Sequence, residues 1–209
     1  TEPIEFQREY LDHLRALFPS LDLTGMKIVM DCANGAASFL APELFRGFGA
    51  ELEVLSAEPD GRNINENCGS LHLEQAQKAV TSHGADIGIA FDGDADRALF
   101  VDENGDVIDG DATLWILAGY MLDQGELISG KVVATVMSNI GLELALKTRG
   151  LELLRTSVGD KYVLEELLKT GAEIGGEQSG HIICPRNSLV GDGMLTALSL
   201  LRVMRERGK

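Results

Sequence analysis

The sequence predicts an α/β fold built as two similar three-layer α/β/α domains with mixed, mainly parallel sheets. Three observations lead there. Short apolar runs of strand length alternate along the chain with stretches of helical periodicity, the pattern of strand–helix–strand units. The runs end in turns rich in small residues, such as Cys32-Ala33-Asn34-Gly35. The second half also echoes the first. Lys131-Val132-Val133-Ala134-Thr135 matches Lys27-Ile28-Val29-Met30-Asp31, Asn139 and Gly141 echo Asn34 and Gly35, and Gly171-Ala172-Glu173-Ile174-Gly175 echoes Gly84-Ala85-Asp86-Ile87-Gly88. A chance likeness among short Gly-rich segments is the alternative. The echo divides the chain into residues 1–108 and 109–209, joined near Ile108-Asp109-Gly110-Asp111.

Taken in order, Tyr10, Leu11, Leu14, Leu17 and Phe18 recur at helical spacing, and Pro19 stops that helix. Residues 27–31 read as a buried strand and residues 36–48 as a helix closed near Gly49. Residues 51–55 read as the next strand, and residues 59–65 as a turn-rich loop. A helix over residues 73–83 precedes the apolar run Ile87-Gly88-Ile89-Ala90-Phe91. Residues 98–101 and 107–108 form a hairpin around Glu103-Asn104-Gly105-Asp106. The repeat then puts the loop after Ile174, Gly175-Gly176-Glu177-Gln178-Ser179-Gly180-His181, at the place of the loop after Phe91. In α/β sheets, loops beyond the carboxyl ends of strands are where ligands bind.

Composition narrows the class. A formal charge of −15 lacks the basic footprint that nucleic acid or an anionic membrane surface requires, so neither is expected as a partner. The longest apolar stretch, residues 114–122, is too short to span a bilayer. Cys32, Cys68 and Cys184 are odd in number and widely spaced, so they read as reduced thiols rather than a disulfide framework or a zinc site. The acidic start, Thr1-Glu2-Pro3-Ile4-Glu5-Phe6, lacks the basic region of a signal peptide, and a cytoplasmic location is the expectation.

The most informative segment is Phe91-Asp92-Gly93-Asp94-Ala95-Asp96-Arg97. Alternate aspartates on a tight loop of small residues can turn three carboxylates toward one point. Two carboxylates about 4 Å apart repel by roughly 4 kcal/mol at a surface-like dielectric, so three together need a cation. Oxygen ligands without His or Cys select Mg2+, Mn2+ or Ca2+ over zinc. An acidic solvent turn is the bland alternative. An EF-hand fails because its sixth position must be Gly and here is Arg97, although Glu103 falls at the twelfth. A haloacid-dehalogenase-like phosphatase also places D-x-D after an apolar strand, with Gly191-Asp192-Gly193 as a distal acidic motif. Asp96, however, stands where that family prefers Thr or Val.

The segment Asp92-Gly93-Asp94-Ala95-Asp96-Arg97 resembles the metal loop of the α-D-phosphohexomutases. Its neighbours resemble the phosphoglucosamine mutase branch: Cys32-Ala33-Asn34-Gly35-Ala36-Ala37-Ser38, Asn63-Ile64-Asn65, Cys68-Gly69-Ser70, Met137-Ser138-Asn139, Val158-Gly159-Asp160-Lys161-Tyr162-Val163 and Gly175-Gly176-Glu177-Gln178-Ser179-Gly180-His181-Ile182-Ile183. The likeness runs from about Lys27 onward. A phosphomannomutase/phosphoglucomutase is the neighbouring alternative, and a non-catalytic metal or sugar-phosphate binding module the more distant one.

The resemblance implies only the middle two of four domains. Missing are the first domain, whose T-x-S-H-N-P loop holds the phosphoserine nucleophile, and the fourth, which grips substrate phosphate. Thr81-Ser82-His83 lacks the Asn-Pro of that loop. The implied parent interconverts glucosamine 6-phosphate and glucosamine 1-phosphate through a 1,6-bisphosphate, on the way to cell-wall precursors. The implied metal is Mg2+ on Asp92, Asp94 and Asp96, with Arg97 either at a phosphate oxygen or in a salt bridge that merely holds the aspartate loop. Glu177 and Ser179 are implied to meet sugar hydroxyls, with Asp160 and Lys161 in a substrate-facing loop, although Lys161 reads equally as a solvated charge at a helix start. His181 either deprotonates a sugar hydroxyl or orients its loop. Ala95 stands where the family has Gly, which costs strain if that position needs a positive φ.

Overall fold

The computed structural model describes residues 3–208; Thr1 and Glu2 of the acidic start, and Lys209, lie outside the described residues. The chain forms two compact units. The first comprises the described residues up to Ala95 with Phe100–Val107 and the tail from Met204. The second comprises Asp96–Leu99 and Ile108–Val203.

In the first unit, helix α1 (Pro3–Leu17) buries Leu11 and Leu14 and is followed by buried Phe18. It stops two residues before Pro19, whose ring disfavours helical geometry in the residue before it. Strand β1 (Lys27–Asp31), helix α2 (Ala37–Gly47), strand β2 (Glu51–Leu55), helix α3 (Glu74–His83), strand β3 (Ile87–Phe91), strand β4 (Ala98–Asp102, of which Ala98 and Leu99 count with the second unit) and strand β5 (Val107–Ile108, of which Ile108 does) follow. The sheet order is β2-β1-β3-β4-β5, with β1 parallel to both β2 and β3. β3 is buried throughout, as a central parallel strand with both faces covered must be. Side chains alternate across β1: Val29 joins Ala76 and Val80 of α3, while Ile28 and Met30, fully buried, point the other way.

In the second unit, helix α4 (Gly110–Asp123) leads to strand β6 (Lys131–Thr135), helix α5 (Ile140–Thr148), strand β7 (Glu152–Thr156), helix α6 (Asp160–Thr170), strand β8 (Ile174–Gly176), strand β9 (Ile182–Ile183) and helix α7 (Gly193–Arg207), whose residues from Met204 count with the first unit. The order is β7-β6-β8-β9, with β6 parallel to β7 and β8, and β8 antiparallel to β9. Alternation on β6 builds the three layers. Val132 and Ala134 meet Leu114 of α4 and Leu142 of α5, whereas Val133 meets Val163 and Leu167 of α6. Among the described residues no helix is long and apolar enough to cross a membrane.

The internal echo is therefore structural. β1, β2 and β3 occupy the sheet positions that β6, β7 and β8 occupy in the second unit. The two helices before β3 and β8 both end on left-handed glycines, Gly84 and Gly171. Two details differ from the sequence expectation. Gly175 and Gly176 extend β8 instead of opening its loop, because they pair with β6 on one side and β9 on the other. Asp160 and Lys161 are the first two residues of α6 rather than loop residues, which leaves Lys161 as the helix-start charge that was the other reading, and Asp160 places its charge at the favourable end of the helix dipole.

Candidate active site

The segment after β3 is a tight six-residue loop. Each of Asp92, Asp94 and Asp96 offers a carboxylate oxygen, and these lie within 4.8 Å of one another. Ala95 makes this possible by adopting φ 61°, the left-handed conformation that the sequence comparison with a central glycine anticipated. Arg97 Nε lies 3.6 Å from Asp96 Oδ1, and that oxygen is buried without a hydrogen-bond donor. The donor set is all oxygen, and an undonated buried carboxylate oxygen in it is what a hard divalent cation fits.

Three of the motifs singled out in the sequence fold around this loop. The Ala36 N–H donates to Gly93 O at 2.9 Å, and a Cβ on Gly35 would fall 2.1 Å from the same oxygen. The Asn65 N–H donates to Ala33 O, and Ile64 and the Asn65 side chain crowd Gly93. Asp31, which sequence reasoning passed over, ties the turns together. Fully buried at the end of β1, it accepts from the N–H of Ala33 at 2.9 Å and of Gly69 at 2.9 Å. Burial pushes its carboxyl above the ordinary range, and the two N–H donors oppose that shift. An aspartate closing a buried strand just before a Gly-rich turn was the available signal.

In the second unit, the loop between β8 and β9 occupies the place equivalent to the aspartate loop. Glu177 accepts from the Gly159 N–H at 3.0 Å, which joins this loop to the start of α6 and so to Asp160 and Lys161. Ser179 Oγ lies 3.5 Å from Glu177 Oε2. Both side chains are half-buried, whereas Asp160 and Lys161 are exposed. Lys161 reaches Glu165 at 3.8 Å and lies over the Tyr162 ring. The presumed linker is part of the same construction: the Gly110 N–H donates to Gln178 O at 2.9 Å, and Gln178 Nε2 donates to Asp109 at 3.2 Å.

His181 is buried. Its Nε2 accepts from the Gly191 N–H at 3.1 Å, and its Nδ1 lies 3.2 Å from Asp96 Oδ2, a residue of the same unit. Gly191-Asp192-Gly193, which had the look of a distal acidic motif, is a helix start. Asp192 Oδ1 accepts from the Leu195 N–H at 2.9 Å and caps α7.

Comparison with known proteins gives this arrangement a class. The model of phosphoglucomutase/phosphomannomutase α/β/α domain II matches residues 8–105, and that of domain III matches residues 109–209. The chain belongs to this family, the α-D-phosphohexomutases. Within it, the phosphoglucosamine mutase of Rhodococcus jostii is 54% identical over 200 residues, covering 96% of this chain and 45% of that protein. The phosphoglucosamine mutase of Caldicellulosiruptor saccharolyticus is 52% identical over 206 residues, covering 99% and 46%. A crystal structure of a phosphoglucomutase/phosphomannomutase family protein from Burkholderia thailandensis is 29% identical with a TM-score of 0.85, covering 96% of this chain and 44% of that one. An N-acetylphosphoglucosamine mutase from Aspergillus fumigatus, 22% identical with a TM-score of 0.78, covers 97% of this chain and 48% of its own and shares the fold. The chain spans about half the length of the curated relatives it matches.

Proposed function

We propose that this chain supplies the cation loop and the sugar-binding loop of a phosphoglucosamine mutase, which interconverts glucosamine 6-phosphate and glucosamine 1-phosphate. The observation that carries the reading is the convergence of three carboxylate oxygens within 4.8 Å on one loop. The substrate comes from the name shared by relatives that are 52–54% identical over nearly the whole chain.

Asp92, Asp94 and Asp96 would hold Mg2+, which when bound neutralises charge on a phosphoryl group in transfer. Arg97, beside that loop and always charged, presents a planar fork suited to a phosphate oxygen. Glu177 carries the sugar specificity. A carboxylate can accept from two neighbouring hydroxyls at once, and so can hold the ring in either orientation as a 1,6-bisphosphate turns around. Ser179 adds a hydroxyl contact beside it. Asp160 and Lys161, linked to Glu177 through Gly159, line the approach of the phosphosugar. The phosphoserine nucleophile and the clamp on the distal phosphate belong to the first and fourth domains of the parent enzyme.

Phosphoryl transfer depends almost wholly on positioning and electrostatics, so the middle portion without those partners has no route to turnover. A coupled assay on the 209-residue chain with glucosamine 6-phosphate and bisphosphate activator is expected to show no glucosamine 1-phosphate. Steady turnover by the chain alone would overturn this division of labour.

A further inference from the structure

We propose that Gln178 is a positioning residue for the sugar loop: seated on the start of α4, it turns Glu177 and Ser179 to the opposite side of the sheet. The proposal rests on reading Glu177 and Ser179 as contacts to sugar hydroxyls. Gln178 and Ser179 are the central residues of a tight turn, closed by the Gly180 N–H donating to Glu177 O at 3.0 Å. The Glu177 N–H donates to His181 O at 3.0 Å, so the turn caps the β8–β9 pair. Successive side chains of this tip diverge. Glu177 accepts from the Gly159 N–H at the start of α6, and Ser179 Oγ lies 3.5 Å from the same carboxylate. Gln178 goes the other way, its Nε2 donating to Asp109 Oδ2 at 3.2 Å at the start of α4. α4 and α6 cover opposite faces of the second sheet, because Val132 and Ala134 of β6 pack on the α4 side and Val133 on the α6 side. A tip that commits Gln178 to one side therefore commits Glu177 and Ser179 to the other.

The seat is built from backbone as well as side chain. Gln178 O accepts from the Gly110 N–H at 2.9 Å. A Cβ on Gly110 would run into Glu177 O and lie 2.8 Å from the Gly180 nitrogen, so only glycine lets α4 approach the turn this closely. Asp109 serves two partners. Its Oδ1 accepts from the Ala112 N–H at 2.9 Å and caps α4, while its Oδ2 takes the Gln178 amide. The cap fixes the carboxylate, and the fixed carboxylate directs Gln178. From the other flank the Ala98 N–H donates to Gly180 O at 3.2 Å, and a Cβ on Gly180 would run into Ala98 O. The turn is thus held on two sides before any ligand arrives, which is what a loop that selects by geometry requires. Gln178 is exposed to solvent, so its bond to Asp109 biases direction and adds little to stability.

The test uses the 209-residue chain, labelled with 15N, and glucosamine 6-phosphate as the probe. The probe is titrated through the millimolar range while the Glu177 and Ser179 amides are followed by NMR. In the free wild type, relaxation is expected to show residues 177–180 as ordered as the strands they join, with S² about 0.85; S² below about 0.6 there overturns the proposal without any variant. Gln178→Leu keeps the net charge and removes the donor. It is expected to weaken probe binding about 3–10-fold while lowering Tm by no more than about 4 °C. Gln178→Glu combined with Asp109→Asn also keeps the net charge, leaves an oxygen to cap α4 and reverses the hydrogen bond. This pair is expected to bind the probe within about 2-fold of wild type. A merely structural contact would lower Tm and leave the affinity alone. Wild-type affinity in Gln178→Leu alongside a lost response in Glu177→Ala overturns the proposal alone, as does a reversed pair that binds no better than Gln178→Leu. No response in the wild type, or one that survives in Glu177→Ala, overturns the sugar-loop reading and the proposal with it.

Discussion

Replacing Asp94 by Asn should have two effects of opposite sign, and their magnitudes follow from the geometry of the loop. The three carboxylate oxygens lie within 4.8 Å of one another. At that separation each pair of charges repels by about 3.5 kcal/mol at an effective dielectric of 20 and by about 0.9 kcal/mol in water. Asp94→Asn removes two of the three pairs. Asp94 is exposed, so the aqueous figure governs, and the cation-free protein should gain roughly 1–2 kcal/mol. For a chain of this size each kcal/mol moves Tm by about 2–4 °C. Cation has the reverse effect. At ten times its Kd, Mg2+ adds about 1.4 kcal/mol to the wild type and much less to the variant, so the gap closes or inverts. Thermal unfolding followed by circular dichroism, in chelated low-salt buffer and then with Mg2+, reads both effects. High salt without Mg2+ should shrink the difference by screening. Asp94→Asn melting below the wild type in the chelated buffer, or rising with Mg2+ in parallel with it, would refute the reasoning.

Two further outcomes follow from the same structure. Ala95 holds φ 61° in the cation loop, so Ala95→Gly should raise stability by roughly 0.5–1 kcal/mol, the relieved left-handed strain outweighing the added freedom of the unfolded chain; a lower Tm contradicts this. Burial pushes the Cys32 and Cys184 thiols up to about 12 from the ordinary 9. The folded state therefore keeps protons that the unfolded state releases, and the stability this gives is present below pH 9 and lost as pH rises toward 12. Urea unfolding should show ΔG falling by up to about 1.4 kcal/mol per pH unit for each thiol in that window, and a pH-independent midpoint from pH 9 to 10.5 would contradict it.

Much of this architecture is legible in the sequence because its signals are local. β1 and β2 run over the residues that the apolar runs mark, and the three aspartates announce their own convergence by alternating on a loop of small residues. The signals that mislead are those whose cause is distant. Gly175 and Gly176 read as loop because glycine is poor in strands, yet they lie in β8, where a Cβ on Gly176 would fall 2.5 Å from His181 O. α7 is hidden behind Gly191-Asp192-Gly193, whose aspartate looks chemical but serves as a helix cap. Asp31 and His181 owe their importance to partners far along the chain, Gly69 for one and Asp96 for the other, and no spacing rule links them. The tertiary contacts show which partners these residues meet.

The central claim is that these residues serve a phosphoglucosamine mutase, and a transplant tests it most directly. The 209-residue chain should replace the matching segment of the Rhodococcus jostii phosphoglucosamine mutase, to which it is 54% identical. Turnover of glucosamine 6-phosphate by the chimera would then be measured in a coupled assay. The expected result is an active chimera in which Asp94→Ala collapses kcat while Glu177→Ala chiefly raises KM. A chimera that folds and shows no mutase activity, or one whose rate is indifferent to Asp94, would contradict it.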